Sequence, residues 1–346
     1  MARSLIVGLA AAGILAVVAG VVLYWATSGW DGDDAARAEI VATKDAPARV
    51  PPNVLKVLTW NVGFGGGLGA PTDVHAAPDV RANLDAIAGR VRDSDPDIVF
   101  LQEVDRPSRR SGDIDQFEYL RQATGFPYGC FVTTWKVNHL PFPFWPPARQ
   151  VGRIHSGQAI LSRFPIESCV RQPMPQPAEW SALYNRAYLH RSLQRARVRL
   201  APDAFVDLFN VHLEAFSQGN REAQAAILAD AMKAVPAGTP VIAAGDFNAV
   251  PPNALRKNGF PDEAIDFTTD RTIEIARAGT GLKEVFLDDS PDTPEDGSLT
   301  FPADAPTRRL DYVFWRGFAG STQRGVQPGT ASDHRPVEAA LARVAP

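Results

Sequence analysis

Cysteine is scarce in this chain: Cys130 and Cys169 are the only two among 346 residues. Two thiols cannot build a disulfide scaffold or a cysteine-based zinc site. An excess of positive charge is missing too. Lys and Arg number 35 against 39 Asp and Glu, a net charge of −4, with a pI near 5.9. That excludes a protein that coats DNA by bulk charge, although it leaves room for a local basic groove. No internal repeat is visible, and a single long apolar run excludes a multi-span membrane protein. What remains is an ordinary globular mixture, 45% hydrophobic, 21% charged and 9% aromatic. It fits neither a disordered chain nor a coiled coil nor a collagen-like fibre. With 29 Pro and 27 Gly, many turns are expected.

The apolar run extends from Leu5 to Trp25 without a charge, long enough for a helix to cross a bilayer. Tyr24 and Trp25 stand where an interfacial aromatic belt would be, and Trp30, Asp31, Asp33 and Asp34 follow. The run exceeds the usual apolar core of a cleaved signal, so an uncleaved signal anchor over residues 1–30 is favoured over a cleaved signal peptide. Arg3, the nearby cation, places the N-terminus in the cytoplasm and the rest outside. An exported compartment permits a Cys130–Cys169 disulfide, but spacing alone leaves the pairing open. Residues 31–52 are acidic, Ala-rich and end in Pro51-Pro52, which reads as a linker.

From residue 53 to 346, short apolar runs alternate with helical stretches, as in one α/β domain. Strands are predicted at 54–62, 97–104, 157–164, 187–200, 204–213, 240–247, 309–315 and 336–344. Helical spacing marks Leu84, Ile87, Ala88 and Val91, and again Ile227, Leu228, Ala231, Met232 and Val235. Residues 131–147 combine Trp135, Phe142, Phe144 and Trp145 with four prolines. Prolines remove ladder donors, so the segment reads as a long aromatic loop. It either folds back over the core or meets a membrane or substrate.

Acidic, amide and imidazole side chains gather at the predicted strand ends: Asn61, Glu103, His212, Asp246, Asn248, Asp311, Asp333 and His334. Strand ends in α/β folds are where ligand sites form. Hard oxygen donors such as Glu103 and Asn61 suit Mg²⁺ or Mn²⁺. Asp246 and Asn248, two apart on an extended chain, should point the same way. One would orient or deprotonate a water while the other donates to a phosphate oxygen. Asp333 and His334 read as a carboxylate–imidazole pair, with His334 and His212 donating to a phosphate oxygen as charge develops. Such a set hydrolyses a phosphoester without a covalent intermediate. Arg191 and Tyr188 stand near with undecided strand parity. His75, His139, His155 and His190 read as structural. Arg106, Arg109 and Arg110 form either a solvated loop or a contact to further phosphates.

The motifs occur in a fixed order: WN at 60–61, LQEV at 101–104, GQAILSRFPI at 157–166, VHL at 211–213, GDFN at 245–248, LDYV at 310–313 and SDH at 332–334. On these the sequence, from about Val54 to Val344, resembles the endonuclease/exonuclease/phosphatase superfamily. That group includes pancreatic-type DNases, abasic-site endonucleases, neutral sphingomyelinases and inositol-polyphosphate phosphatases. The resemblance implies a four-layer α/β sandwich, two packed mixed β-sheets flanked by helices, here preceded by one transmembrane helix. It implies a metal set of Asn61, Glu103 and Asp333 for Mg²⁺, with Mn²⁺ as the alternative. It gives Asp246 the water-activating role, Asn248 its amide partner, and His212, Asp311, Asp333 and His334 the remaining catalytic positions. The Leu-Asp-Tyr around Asp311 departs mildly from the superfamily's Ile-Asp-Tyr. The function expected is a membrane-tethered, extracytoplasmic phosphodiesterase acting on phospholipid headgroups or other small phosphodiesters. A nuclease degrading extracellular DNA is the alternative, and an inactive tethered adaptor the third reading. No obligate protein partner is implied.

Overall fold

The computed structural model describes residues 2–29, 38–69, 73–288 and 295–344. Trp30, Asp31, Asp33 and Asp34, part of the expected anchor and linker, lie outside them. Helix α1 (Ala2–Thr27) contains the apolar run; residues 6–27 have mean hydropathy 2.7, and residues 6–25 are exposed while Ala26 and Thr27 are buried against the domain. It is a candidate transmembrane segment.

The chain then runs through β1 (Ala38–Ala42), β2 (Val54–Asn61), α2 (Ala77–Ser94), β3 (Ile98–Asp105), α3 (Gln116–Thr124), β4 (Tyr128–Leu140), β5 (Gly152–Ser162) and β6 (Ile166–Pro173). It continues through α4 (Ala182–Ala187), β7 (Ser192–Ala201), β8 (Ala204–His212), α5 (Gln218–Lys233), β9 (Val241–Asp246), α6 (Thr272–Arg277), β10 (Lys283–Glu284), β11 (Asp311–Arg316), β12 (Phe318–Val326) and β13 (Val337–Arg343). A seven-stranded sheet has the order β1-β4-β5-β3-β2-β13-β12, and a six-stranded sheet the order β10-β11-β9-β8-β7-β6. The pairs β2–β3 and β8–β9 are parallel and the rest antiparallel, so both sheets are mixed.

Three apolar clusters account for four layers. One lies between the sheets and includes Phe100, Ile160, Leu208 and Trp315. A second packs α2 and α3 on the first sheet through Leu84, Ile87, Val91, Phe117 and Leu120. A third packs α5 and α6 on the second sheet through Leu228, Met232 and Ile273. Helix α2 starts with Pro78 in its first turn and ends where Asp95 turns left-handed, so its apolar stripe meets the sheet over its whole length.

Four readings need correction. Residues 38–42, inside the stretch read as a linker, form β1 and extend the first sheet by pairing with β4. The aromatic segment is not a loop throughout. Residues 131–140 continue β4, because the prolines begin only at Pro141 and leave every ladder donor before it intact. The strand expected from 187 starts at Ser192, since residues 182–187 close a short helix. Edge strands β6 and β12 carry no apolar run and were not predicted.

The open question of the cysteines is answered. Cys130 of β4 and Cys169 of β6 form a disulfide that joins the two sheets, with Cα atoms 6.5 Å apart and a separation of 39 in sequence. Closing a loop of that length stabilises a fold by about 4 kcal/mol in the chain-entropy account. A Cys130→Ser/Cys169→Ser variant should therefore lose roughly 2–4 kcal/mol in urea denaturation. An unchanged midpoint would show that packing alone joins the sheets.

Candidate active site

The site lies where one end of each sheet meets the other, and both sheets contribute. Asn61 closes β2, and the side chain of Glu103 projects from a bulge in β3 between Leu101 and Val104. Glu103 has a φ of 54°, which turns its carboxylate out of the strand alternation. The second sheet supplies His212, opposite Asp246 in the β8–β9 register, and Asp311, opposite Asp246 in the β9–β11 register. Asp333 and His334 come from the loop before β13. That loop is tied down by Ser332 Oγ, which donates to the Asn61 carbonyl at 2.7 Å, and by Trp60 Nε1, which donates to the His334 carbonyl at 2.8 Å.

Three nitrogens converge on one oxygen. Asn61 Nδ2 donates to Asp246 Oδ2 at 3.1 Å and also reaches Glu103 Oε1 at 3.1 Å. His212 Nε2 stands 3.5 Å and His334 Nε2 3.6 Å from the same Asp246 oxygen. Those two distances exceed a good hydrogen bond, so both imidazole nitrogens remain available to a further acceptor. Behind them, His334 Nδ1 is bound to Asp311 Oδ2 at 2.8 Å. The ring of Phe301 lies against His334, centroids 4.7 Å apart.

Burial sets the charges. It disfavours the His334 imidazolium, but Asp311 and Asp246, with help from Asp333, outweigh it and raise this histidine to about 10. Burial also raises Asp246, to about 7, against the pull of the His334 cation. His212 goes the other way: burial first, then Arg191 and His334, hold it neutral. Asp333 is raised by burial, relieved by His334 and raised again by the nearby Glu103 carboxylate. The site thus presents a charged imidazole, a neutral imidazole and several carboxylates in one pocket.

The structure brings every predicted site residue to this end of the sandwich, with two changes of partner. The carboxylate bound to His334 is Asp311, not its neighbour Asp333, which instead accepts from Ser332 at 3.2 Å. Successive residues point apart, so sequence adjacency misassigned the pair. The parity argument for Asn248 also fails. β9 ends at Asp246, and Asn248 lies in a turn with φ 49°. Its backbone N–H donates to Asp246 Oδ1 at 2.9 Å and its amide to the Leu213 carbonyl at 2.9 Å.

The arginines after Glu103 are structural. Arg110 is buried, forks onto Asp105 at 3.0 and 2.8 Å and stacks over Phe64. Arg106 pairs with Glu39 and Asp115, both at 3.1 Å, and Arg109 donates to the Ala148 carbonyl. Arg191 is buried 3.8 Å from Glu214, close enough to His212 to depress its charge. His155 bonds Thr133 and His139 bonds Gln150, in keeping with their structural reading. Sequence reasoning missed Ser332, Trp60 and Phe301 as supports. Ser332 and Trp60 lay inside quoted motifs, whereas Phe301 gave no signal.

The two histidine- and aspartate-bearing strands approach closely at Gly245. It has φ 141°, and an added Cβ would overlap the Val211 carbonyl oxygen. Gly245→Ala should cost about 1–3 kcal/mol, as overpacking does. Urea denaturation checks this, and wild-type stability would mean that β8 and β9 can part freely beneath His212 and Asp246.

The comparisons with known proteins agree with this geometry. The profile of the Endonuclease/Exonuclease/phosphatase family matches residues 58–334, a span that includes every site residue named above. An uncharacterized Escherichia coli protein, YbhP, is 27% identical over 192 residues, which is 54% of this chain. The match spans 63% of that relative's length. The fold resembles an endonuclease/exonuclease/phosphatase from Beutenbergia cavernae, with TM-score 0.61 and 23% identity over 84% of this chain and 72% of the other. It also resembles a mannosyl-6-phosphatase from Bacteroides thetaiotaomicron, with TM-score 0.56 and 18% identity over 83% and 99%. A truncated Caenorhabditis elegans TDP2 gives TM-score 0.52 and 18% identity over 84% and 97%. Members of this family hydrolyse phosphoesters and are generally dependent on a divalent metal. By the family match along most of its length, the chain belongs to the Endonuclease/Exonuclease/phosphatase family.

Proposed function

We propose that this chain is a membrane-tethered, extracytoplasmic phosphodiesterase that acts by in-line attack of water, with phospholipid headgroups or similar small phosphodiesters as substrates. The observation that carries the chemistry is the convergence of Asn61, His212 and His334 on Asp246 Oδ2. A carboxylate raised to about 7 suits a general base near neutral pH. Asp246 takes a proton from the attacking water, while Asn61 and the Asn248 backbone N–H fix its carboxylate. The water oxygen bonds to phosphorus as the ester oxygen leaves on the opposite side. His334, held charged by Asp311, donates its Nε2 proton to a phosphate oxygen as negative charge builds there. Neutral His212 donates from the other side.

The residues fit a divalent cation. Glu103 and Asp333 are close enough for their charges to oppose one another, with the Asn61 amide beside Glu103. A hard cation held by Glu103 and Asp333 would relieve that repulsion, and Mg²⁺ or Mn²⁺ matches their carboxylate oxygens. Asn61 turns its amide nitrogen to Glu103 and its oxygen accepts from the Gly63 N–H at 3.0 Å, so it positions Glu103 instead of coordinating. Asp246, Asp311 and His334 also offer donor atoms within 4.8 Å of one another. His334 carries protons on both nitrogens in that group, so we place the cation at Glu103. When bound, a divalent cation supplies charge that stabilises the phosphate oxygens.

The membrane tether rests on the apolar run of α1 and the extracytoplasmic side on Arg3 before that run. Against a nuclease stands the engagement of Arg106 and Arg110 with carboxylates of the fold, which leaves neither guanidinium free for a DNA backbone.

His334→Ala should lower turnover by about 10²–10⁴, the usual scale for a positioned proton donor, with circular dichroism unchanged. Glu103→Ala should raise the Mg²⁺ concentration needed for half-maximal activity. Both are read on phospholipid vesicles and plasmid DNA in parallel. Near-normal turnover in folded His334→Ala would overturn the mechanism, and plasmid nicking without lipid hydrolysis would make the chain a nuclease.

A further inference from the structure

The hairpin of β4 and β5 outgrows its sheet. β3 ends at Asp105, paired with Ser156, which also pairs with Trp135 of β4. Beyond that point, among the described residues, β4 and β5 pair only with each other, as far as Leu140 opposite Gly152. The overhang is five residues, about 16 Å at 3.3 Å per residue. Because β5 is antiparallel to both neighbours, β4 runs in the direction of β3. The overhang therefore projects at the end of the sandwich that holds Glu103.

Its construction is rigid and its tip is apolar. Val137, Val151 and Ile154 form a small core of their own. Val151 N–H donates to the Phe142 carbonyl at 2.7 Å, and His139 bonds Gln150 at 2.9 Å. Beyond this core Phe144 is 79% and Trp145 80% exposed. No acidic residue occurs between Glu118 and Glu167, whereas Lys136 and Arg149 lie on this hairpin; Arg153, also on it, is paired with Asp113 at 2.7 Å.

Helix α1 ends against the same overhang. Asn138 Nδ2 donates to the Trp25 carbonyl at 2.8 Å, and Gly29 lies on the Val137 backbone. From α4, Arg186 Nε donates to Thr27 Oγ1 at 2.9 Å and the guanidinium covers the Tyr24 ring at 4.7 Å. The end of an apolar helix and an aromatic, cationic tip thus share one docked unit.

We propose that the β4–β5 tip inserts Phe144 and Trp145 into the interfacial layer of the bilayer that α1 crosses, with Lys136 and Arg149 facing anionic headgroups. Exposed aromatics beside basic residues are what such an interface takes up. The helix end and the tip then form two attachments, which hold the Glu103 end of the domain toward the lipid. The proposal shares the membrane reading of α1 with the proposed function but needs none of its chemistry.

With Cys130 and Cys169 bonded to each other, one added cysteine is the sole reactive thiol. Full-length Phe144→Cys, Trp145→Cys and Asp203→Cys would each be labelled with an environment-sensitive fluorophore. They would be reconstituted in phosphatidylcholine/phosphatidylglycerol vesicles carrying a shallow spin-labelled lipid. Asp203 lies in the exposed β7–β8 turn at the opposite end. Labels at 144 and 145 should be quenched several-fold more than the label at 203. Equal quenching at all three positions would overturn the proposal. So would a label at 144 that is shielded from aqueous iodide yet blind to the lipid quencher, because a second copy of the chain would then cover the tip. Neither readout requires turnover, so failure here is distinct from failure of the phosphodiesterase reading.

Discussion

One imidazolium shared between two buried carboxylates is the interaction on which the site depends. His334 is bound to Asp311 on one side and faces Asp246 on the other, and both aspartates are almost fully buried. An unpaired charge in such a place costs several kcal/mol. The pair β9–β11 delivers two negative groups side by side, and the cation that answers them comes from a loop of the other sheet. Neither sheet can form the site alone. Burial, then the Arg191 and His334 charges, keep His212 neutral, so two chemically identical side chains flank Asp246 in different protonation states.

That arrangement requires the sheets to keep their relative position, and polar groups provide much of the registration. Asn210 of β8 donates its amide to the Leu101 and Ala159 carbonyls of the first sheet and to Gln194 of its own. Gln102 of β3 returns a bond to Asn210 at 2.7 Å and another to Thr59. This network lies one residue pair beneath the site, since Gln102 pairs with Asn61 and Asn210 precedes His212 on the same face. Apolar surfaces can slide across one another, but directed bonds between buried polar groups hold one register. The Cys130–Cys169 bond adds a covalent tie between the same two sheets.

Much of this was legible in the sequence, for identifiable reasons. Buried strands such as β3 and β9 read as short Val-, Ile- and Ala-rich runs because both faces are covered. The functional side chains stood at their ends, where an α/β fold gathers a site. Less legible were features with no local signature. β6 alternates little and is mostly exposed, so no periodicity marked it. The partner of His334 sits 23 positions upstream in β11, a contact that only the tertiary fold creates. Asn248 escaped the strand rule because the chain turns left-handed there. The aromatic segment was misread because its clustered prolines drew attention from the unbroken donors before Pro141. Arg110 read as either part of a solvated loop or a contact to further phosphates, and it is neither: Asp105, five residues earlier, holds it inside the fold.

The central claim is that Asp246, among three nitrogen donors, is the base of a metal-dependent phosphoester hydrolase. The direct measurement is hydrolysis of a small chromogenic phosphodiester by the full chain in detergent with Mg²⁺ or Mn²⁺, beside Asp246→Asn prepared identically. The account predicts turnover that chelation abolishes and that Asp246→Asn lowers by about 10²–10⁴, with stability no lower than that of the parent. Equal turnover in the two proteins would contradict it.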